Sequence, residues 1–113
     1  DVLPPAQRLI LFVAELLKDG FLAQSAFDEN DMYCTPERQI LLLRILLTFH
    51  RLGRELLQAN VPLERVRALP CVPEVLRAKS TFANTQLAAL TELEQRVKDQ
   101  LGALAKAFTQ PPR

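Results

Sequence analysis

TPERQILLLRILLTFHRLGRELLQAN, residues 35–60, decides the fold class. It opens as a helix start. Thr35 can accept hydrogen bonds from the free N–H groups, Pro36 lacks an N–H that the first turn does not need, and Glu37 favours the positive end of the helix dipole. It closes on Asn60, a residue that tolerates the left-handed conformation after a last helical turn, with Pro62 just beyond. Between these signals Ile40, Leu43, Leu47, Leu56 and Leu57 predict a helix to about Ala59. The run Ile40 to Leu47 is apolar nearly all round, interrupted only by Arg44, which predicts a central helix covered by neighbours.

The flanking sequence extends the helical pattern in both directions. Upstream, Pro4 and Pro5 suit a first turn, and Leu9, Phe12, Val13, Leu16 and Leu17 recur at helix spacing to about Lys18. Gly20 is expected to break or cap that helix, and Phe21 to Asp31 reads as a turn-rich or loosely helical connection. Downstream, Leu63 to Leu69 can form two short turns. Pro70 and Pro73 punctuate, and Pro73 to Lys79 starts another short helix. Thr81 to Phe108 then carries one seam, Leu87, Leu90, Leu93, Val97, Leu101, Leu104 and Phe108, at spacings of three and four. No strand alternation competes and no repeat is visible. The expectation is an all-α chain, an irregular helical bundle forming a single helical domain over residues 1–113 with a long C-terminal helix over 81–108.

Composition narrows the function classes. Of 113 residues 49% are apolar and 24% charged, ordinary for a folded protein. A net charge of +1 gives no general pull toward nucleic acid or anionic lipid. The longest apolar run near the start, Leu9 to Ala14, is too short to span a bilayer. Two cysteines, Cys34 and Cys71, lie outside any CxxC pattern and read as buried thiols rather than a disulfide. With three glycines in all, no glycine-rich phosphate loop can be written. His50 is the sole histidine and reads as a core-edge residue, and a zinc site has no ligand set. Asp28, Glu29 and Asp31 imitate part of a calcium loop but lack its central glycine and its twelfth-position glutamate, so turn and cap roles are expected. Arg51 and Arg54, with Glu55 and Glu64 nearby, read as surface pairs rather than a nucleic-acid face.

The connection itself, FLAQSAFDENDMYC at residues 21–34, resembles a known family. It is similar to DFLQQNAFHEVDxYC in the C-terminal helical domain of the catalytic A subunit of V/A-type rotary ATPases. The matching positions are Phe21, Leu22, Gln24, Ala26, Phe27, Glu29, Asp31, Tyr33 and Cys34. Upstream, LPPAQRLILFVAELLKDG resembles LPxxDRLxLExARxIRED. Downstream, PERQILLLRILLTFH resembles LEKQxxMLxxILxFY, and ANVPLERVRALPCVPEVLRAKS resembles AGVPLEEILxLPVREEIARMKY. The resemblance runs from Leu3 to Ser80 nearly without gaps, while the last helix matches only in character. Asp28 departs from the usual His, Ser25 from Asn, and Ile40 from a common Tyr.

The resemblance implies that a nucleotide-binding core carrying the phosphate loop precedes this piece in the parent protein, which also accounts for a first residue that is not Met. It implies ATP or ADP with magnesium in the parent, none bound by the fragment alone, and no activity of the fragment alone. Ala26 and Phe27 would line the adenine side of the site. Phe21 is a further candidate there, although anchoring the connection to the bundle is its preferred role. Implied partners are the B subunits and the central shaft. The implied work is ATP hydrolysis or synthesis coupled to proton or sodium transport, on the cytoplasmic side and peripheral to the membrane. The alternative is a free-standing interaction module that binds partner helices through the seam Leu87 to Phe108.

Overall fold

A computed structural model describes residues 3–22, 35–82 and 85–109, apart from the side chains at 21, 22, 80 and 109. The described residues are helical, with no strand among them, which agrees with the all-α reading. Helix α1 spans Pro5–Leu16 and runs on as a π-helical segment over Leu17–Leu22. Helix α2 spans Pro36–Gln58, α3 Leu63–Arg67, α4 Cys71–Leu76, α5 Ala78–Thr81 and α6 Leu87–Thr109.

The ends of α2 form for the reasons its sequence gives. Thr35 has extended backbone, and its hydroxyl accepts from the Arg38 N–H at 3.3 Å. At the far end Asn60 takes φ 68°, the Val61 N–H donates to Leu56 O, and the Asn60 N–H donates to Leu57 O. That pair of bonds is the Schellman closure, which satisfies carbonyls the helix cannot satisfy itself.

Helices α2 and α6, each of 23 residues, make the most extensive contact among the described residues. Leu90, Leu93, Val97, Leu101 and Leu104 of α6 are buried, as are Leu42, Ile45, Leu46, Phe49 and Leu56 of α2. Side chains of this size contribute roughly 1.5–3 kcal/mol each when fully buried. Helix α1 packs on α2 and adds Leu9, Phe12 and Leu16 to the same core. The rings of Phe12 and Phe49 meet edge to face, with centroids 6.0 Å apart at 63°. The Leu9 methyls lie over Gly53, where an added Cβ would sit 3.3 Å from the nearest of them.

Four expectations change. Gly20 does not end its helix; the chain passes through it in the π-helical segment. The physical reason is a close approach, since a Cβ there would lie 2.5 Å from the carbonyl oxygen of Leu76. Helix α4 begins at Cys71, so Pro73 lies inside its first turn, where a missing N–H is harmless. The last long helix begins at Leu87 rather than Thr81, because Thr81 belongs to α5 and a break follows. Helix α2 is central but not covered all round: Ile40 and Leu47 remain 62% and 69% exposed. The C-terminal seam is filled from within the chain. Only Phe108 at its end stands 39% exposed, with the Arg65 guanidinium 5.3 Å over its ring.

Gly102 lies inside α6 with nothing within 4 Å of the Cβ it lacks. Gly102→Ala therefore stabilises the chain by about 0.5–1 kcal/mol, read as a higher urea midpoint. Gly53→Ala, pressed against the Leu9 methyls, gives a smaller gain or a loss. Equal gains at both sites would contradict the packing described.

Candidate functional site

Ala26 and Phe27 lie outside the described residues, as do Asp28, Glu29, Asp31 and Cys34. The backbone of Phe21 is in the π-helical segment, while its side chain is outside the description. The described structure supplies the two flanks of the candidate segment and what holds them.

The first flank is the π-helical segment, which packs against α4 and α5. At Gly20 the Leu76 backbone stands where a side chain would have to be. The second flank is the start of α2. Arg38, four residues beyond Cys34, is fully buried. Its Nη1 donates to Lys79 O at 2.9 Å and to Phe82 O at 2.6 Å. These carbonyls lie at the end of α5, a helix of four residues that leaves its terminal acceptors open. A charged donor is suited to them, because bonds from an ionised group are the stronger kind.

The corner made by α4 and α5 is itself fastened to α6. Pro70 cannot cap α4 with its side chain, and the Cys71 N–H instead donates to Gln100 Oε1 at 2.8 Å. Arg96 of α6 pairs with Glu74 of α4 at 2.9 Å. Across the main seam the nearly buried Glu94 carboxylate accepts from Arg44 Nε at 2.9 Å and from the Thr48 hydroxyl at 3.3 Å.

The other sequence candidates are placed as follows. His50 is half-buried beside Arg51, Arg54, Glu55 and Gln58, around an open hollow on α2. Arg51 pairs with Glu55 at 3.6 Å as expected, whereas Glu64 pairs with Arg8 across α1 and α3. The Glu64 carboxyl is held below its ordinary range by its own backbone N–H and then by Arg8. Cys71 is buried as expected, and burial pushes its thiol up to about 11. A thiol so protonated is a poor nucleophile. No described helix is long and apolar enough to cross a membrane.

Sequence reasoning missed Arg38, Gly20, Glu94 and Gln100. One signal was available for Arg38. It shares a helical face with Leu42, Ile45 and Phe49, at spacings of four, three and four, and that face is the core. Nothing local could reveal the others, whose partners lie on different helices.

The family described as the C-terminal domain of V and A type ATP synthase matches residues 1–66. The V-type ATP synthase alpha chain of Nitrosococcus oceani is 38% identical over 106 residues, covering 94% of this chain and 18% of that protein. The A subunit of the A-type ATP synthase of Pyrococcus horikoshii is 44% identical over 79 residues, 70% of this chain and 8% of that protein. Its counterpart in Thermococcus sibiricus is 33% identical over 108 residues, 96% of this chain and 18% of that protein. The chain thus spans less than a fifth of the length of these relatives.

The burial of Cys71 has a measurable consequence. In a Cys34→Ser background at pH 8, iodoacetamide labels Cys71 far more slowly than in the urea-unfolded chain; equal rates would place the thiol at the surface. The folded thiol keeps its proton up to about 11, whereas the unfolded one ionises near 9.0. The stability that Cys71 adds is therefore complete below pH 9.0 and is lost as pH rises toward 11. A comparison of the parent with Cys71→Ala by urea unfolding at pH 8 and pH 10.5 reads that loss.

Proposed function

This chain belongs to the family of C-terminal domains of V and A type ATP synthases, and from that premise we propose that it works as the C-terminal domain of a catalytic A subunit in a rotary ATPase. In the whole protein the preceding core binds and cleaves or forms ATP with magnesium. The B subunits complete the ring, and the helical domain moves against the central shaft. Proton or sodium transport is coupled to that movement. The assembly stands on the cytoplasmic side, peripheral to the membrane, and the fragment alone is inactive.

The observation that carries this reading is the ordered match over 94% of the chain to an ATP synthase alpha chain. The fold is compatible with mechanical work. At 1.5 Å rise per residue, a helix as long as α2 or α6 spans roughly 35 Å, and a filled seam joins the two. We place Ala26 and Phe27 on the adenine side of the nucleotide site, with Phe21 a further candidate whose preferred role is to anchor the connection to the bundle. An aromatic face next to a small residue forms an apolar slot into which a purine can stack.

The experiment is nucleotide binding to the full-length protein carrying Phe27→Ala. ATP and ADP affinity falls by about tenfold, the equivalent of roughly 1.4 kcal/mol, while affinity for inorganic tripolyphosphate stays the same. Unchanged ATP affinity would remove Phe27 from the adenine site.

A further inference from the structure

We propose that the outer face of α2 is a docking surface for a second copy of this chain, whose own α2 lies against it antiparallel. Such a contact goes beyond the rotary reading and does not depend on it.

The face combines an apolar centre with opposite charges at its two ends. Glu37, Ile40, Leu43, Leu47 and Arg51 follow one another at spacings of three, three, four and four, which keeps them on one side of the helix. All five are exposed, while Leu42, Ile45, Leu46 and Phe49 fill the core from the opposite side. Single exposed apolar residues are ordinary, but a contiguous stripe of them marks an interaction surface. Glu37 makes no ion pair among the described residues, and Arg51 makes only the loose one with Glu55 at 3.6 Å.

The stripe is complementary to itself in one orientation. Glu37 and Arg51 stand at equal distances on either side of Arg44. A two-fold axis across the helix at Arg44 therefore sets Glu37 of each copy beside Arg51 of the other. The same axis brings Ile40 beside Leu47, and Leu43 close to its own counterpart. Arg44 is bonded to Glu94 of α6, so its charge is met within its own copy. A parallel pair would instead set Glu37 on Glu37 and Arg51 on Arg51, like charge on like. The surface thus selects the antiparallel arrangement, in which both copies use the same patch. One helix face per copy is a small contact, which places the dimer among weak and reversible assemblies. The charge pairs at its ends fix orientation more than strength.

The test is sedimentation of the full-length protein from low to high micromolar concentration. The expected result is a reversible monomer–dimer equilibrium that Leu47→Ser abolishes, with a thermal midpoint near the parent's because Leu47 is exposed. Glu37→Arg alone and Arg51→Glu alone each weaken dimerisation by about tenfold, since like charges then meet at both ends. An equal mixture of these two single variants recovers the parent's association, because opposite charges face each other again. The double variant Glu37→Arg/Arg51→Glu recovers it for the same reason. A protein that stays monomeric throughout overturns the proposal and leaves the face to another partner or to the preceding core. A dimer that survives Leu47→Ser overturns it too, as does one that neither the mixture nor the double variant restores.

Discussion

The seam between α2 and α6 is the constraint on which the rest of the molecule depends. Helices α3, α4 and α5 have five, six and four residues, far below the length at which an isolated helix is stable in water. They persist because the bundle gives them surfaces to pack on: α4 lies on α6, which also supplies Gln100 as a capping group, α3 meets α1, and α5 meets α4 and the π-helical segment. Apolar packing alone would hold the long pair together but fix its register weakly. Glu94 adds what the leucines lack. A slide of one helical turn, about 5.4 Å, would keep much of the apolar contact yet strand a nearly buried carboxylate away from Arg44 and Thr48. The pair is poor evidence for extra stability and good evidence for a single register.

Arg38 raises the same question in sharper form, because a fully buried guanidinium has a large desolvation cost. The corner explains why an apolar residue of similar size would not serve. Helix α5 is too short to satisfy its own terminal carbonyls, and those of Lys79 and Phe82 face the start of α2 rather than open water. An unmet buried acceptor costs about 1–3 kcal/mol, and the Lys79 carbonyl, with the partly buried Phe82 carbonyl, weighs against an apolar replacement by that route. One Nη1 meeting both acceptors thus offsets part of the cost of its own burial, and it does so from a helix whose position the seam has already set.

These two cases show what the sequence could and could not convey. The periodic segments, the Thr35-Pro36 start and the Asn60 closure were legible because each is decided by residues within a turn or two of one another. The break before Leu87 was missed because residues 81–86 hold no proline or glycine to mark a stop, although the leucine seam itself begins only at Leu87. Gly20 was misread for an instructive reason. In sequence a glycine after a helix signals a stop, and only the distant backbone of Leu76 turns it into a fitting surface. Arg38 was given no role, although its helical phase placed it with Leu42 and Ile45. The purine-facing residues were legible only through resemblance, since an alanine and a phenylalanine carry no chemistry that spacing alone could identify.

The arrangement bears on how one domain could serve both a binding site and a lever. Here both flanks meet the α4–α5 corner through backbone contacts, and the corner meets α6 through a cap and an ion pair. A displacement of the π-helical segment or of the start of α2 would therefore reach a corner that is itself fastened to α6. It would leave that corner along a helix of 23 residues whose register Glu94 fixes. Close-packed interiors transmit such displacements rather than absorb them. The corner, the start of α2 and α6 are thus joined by contacts that shift together rather than one at a time.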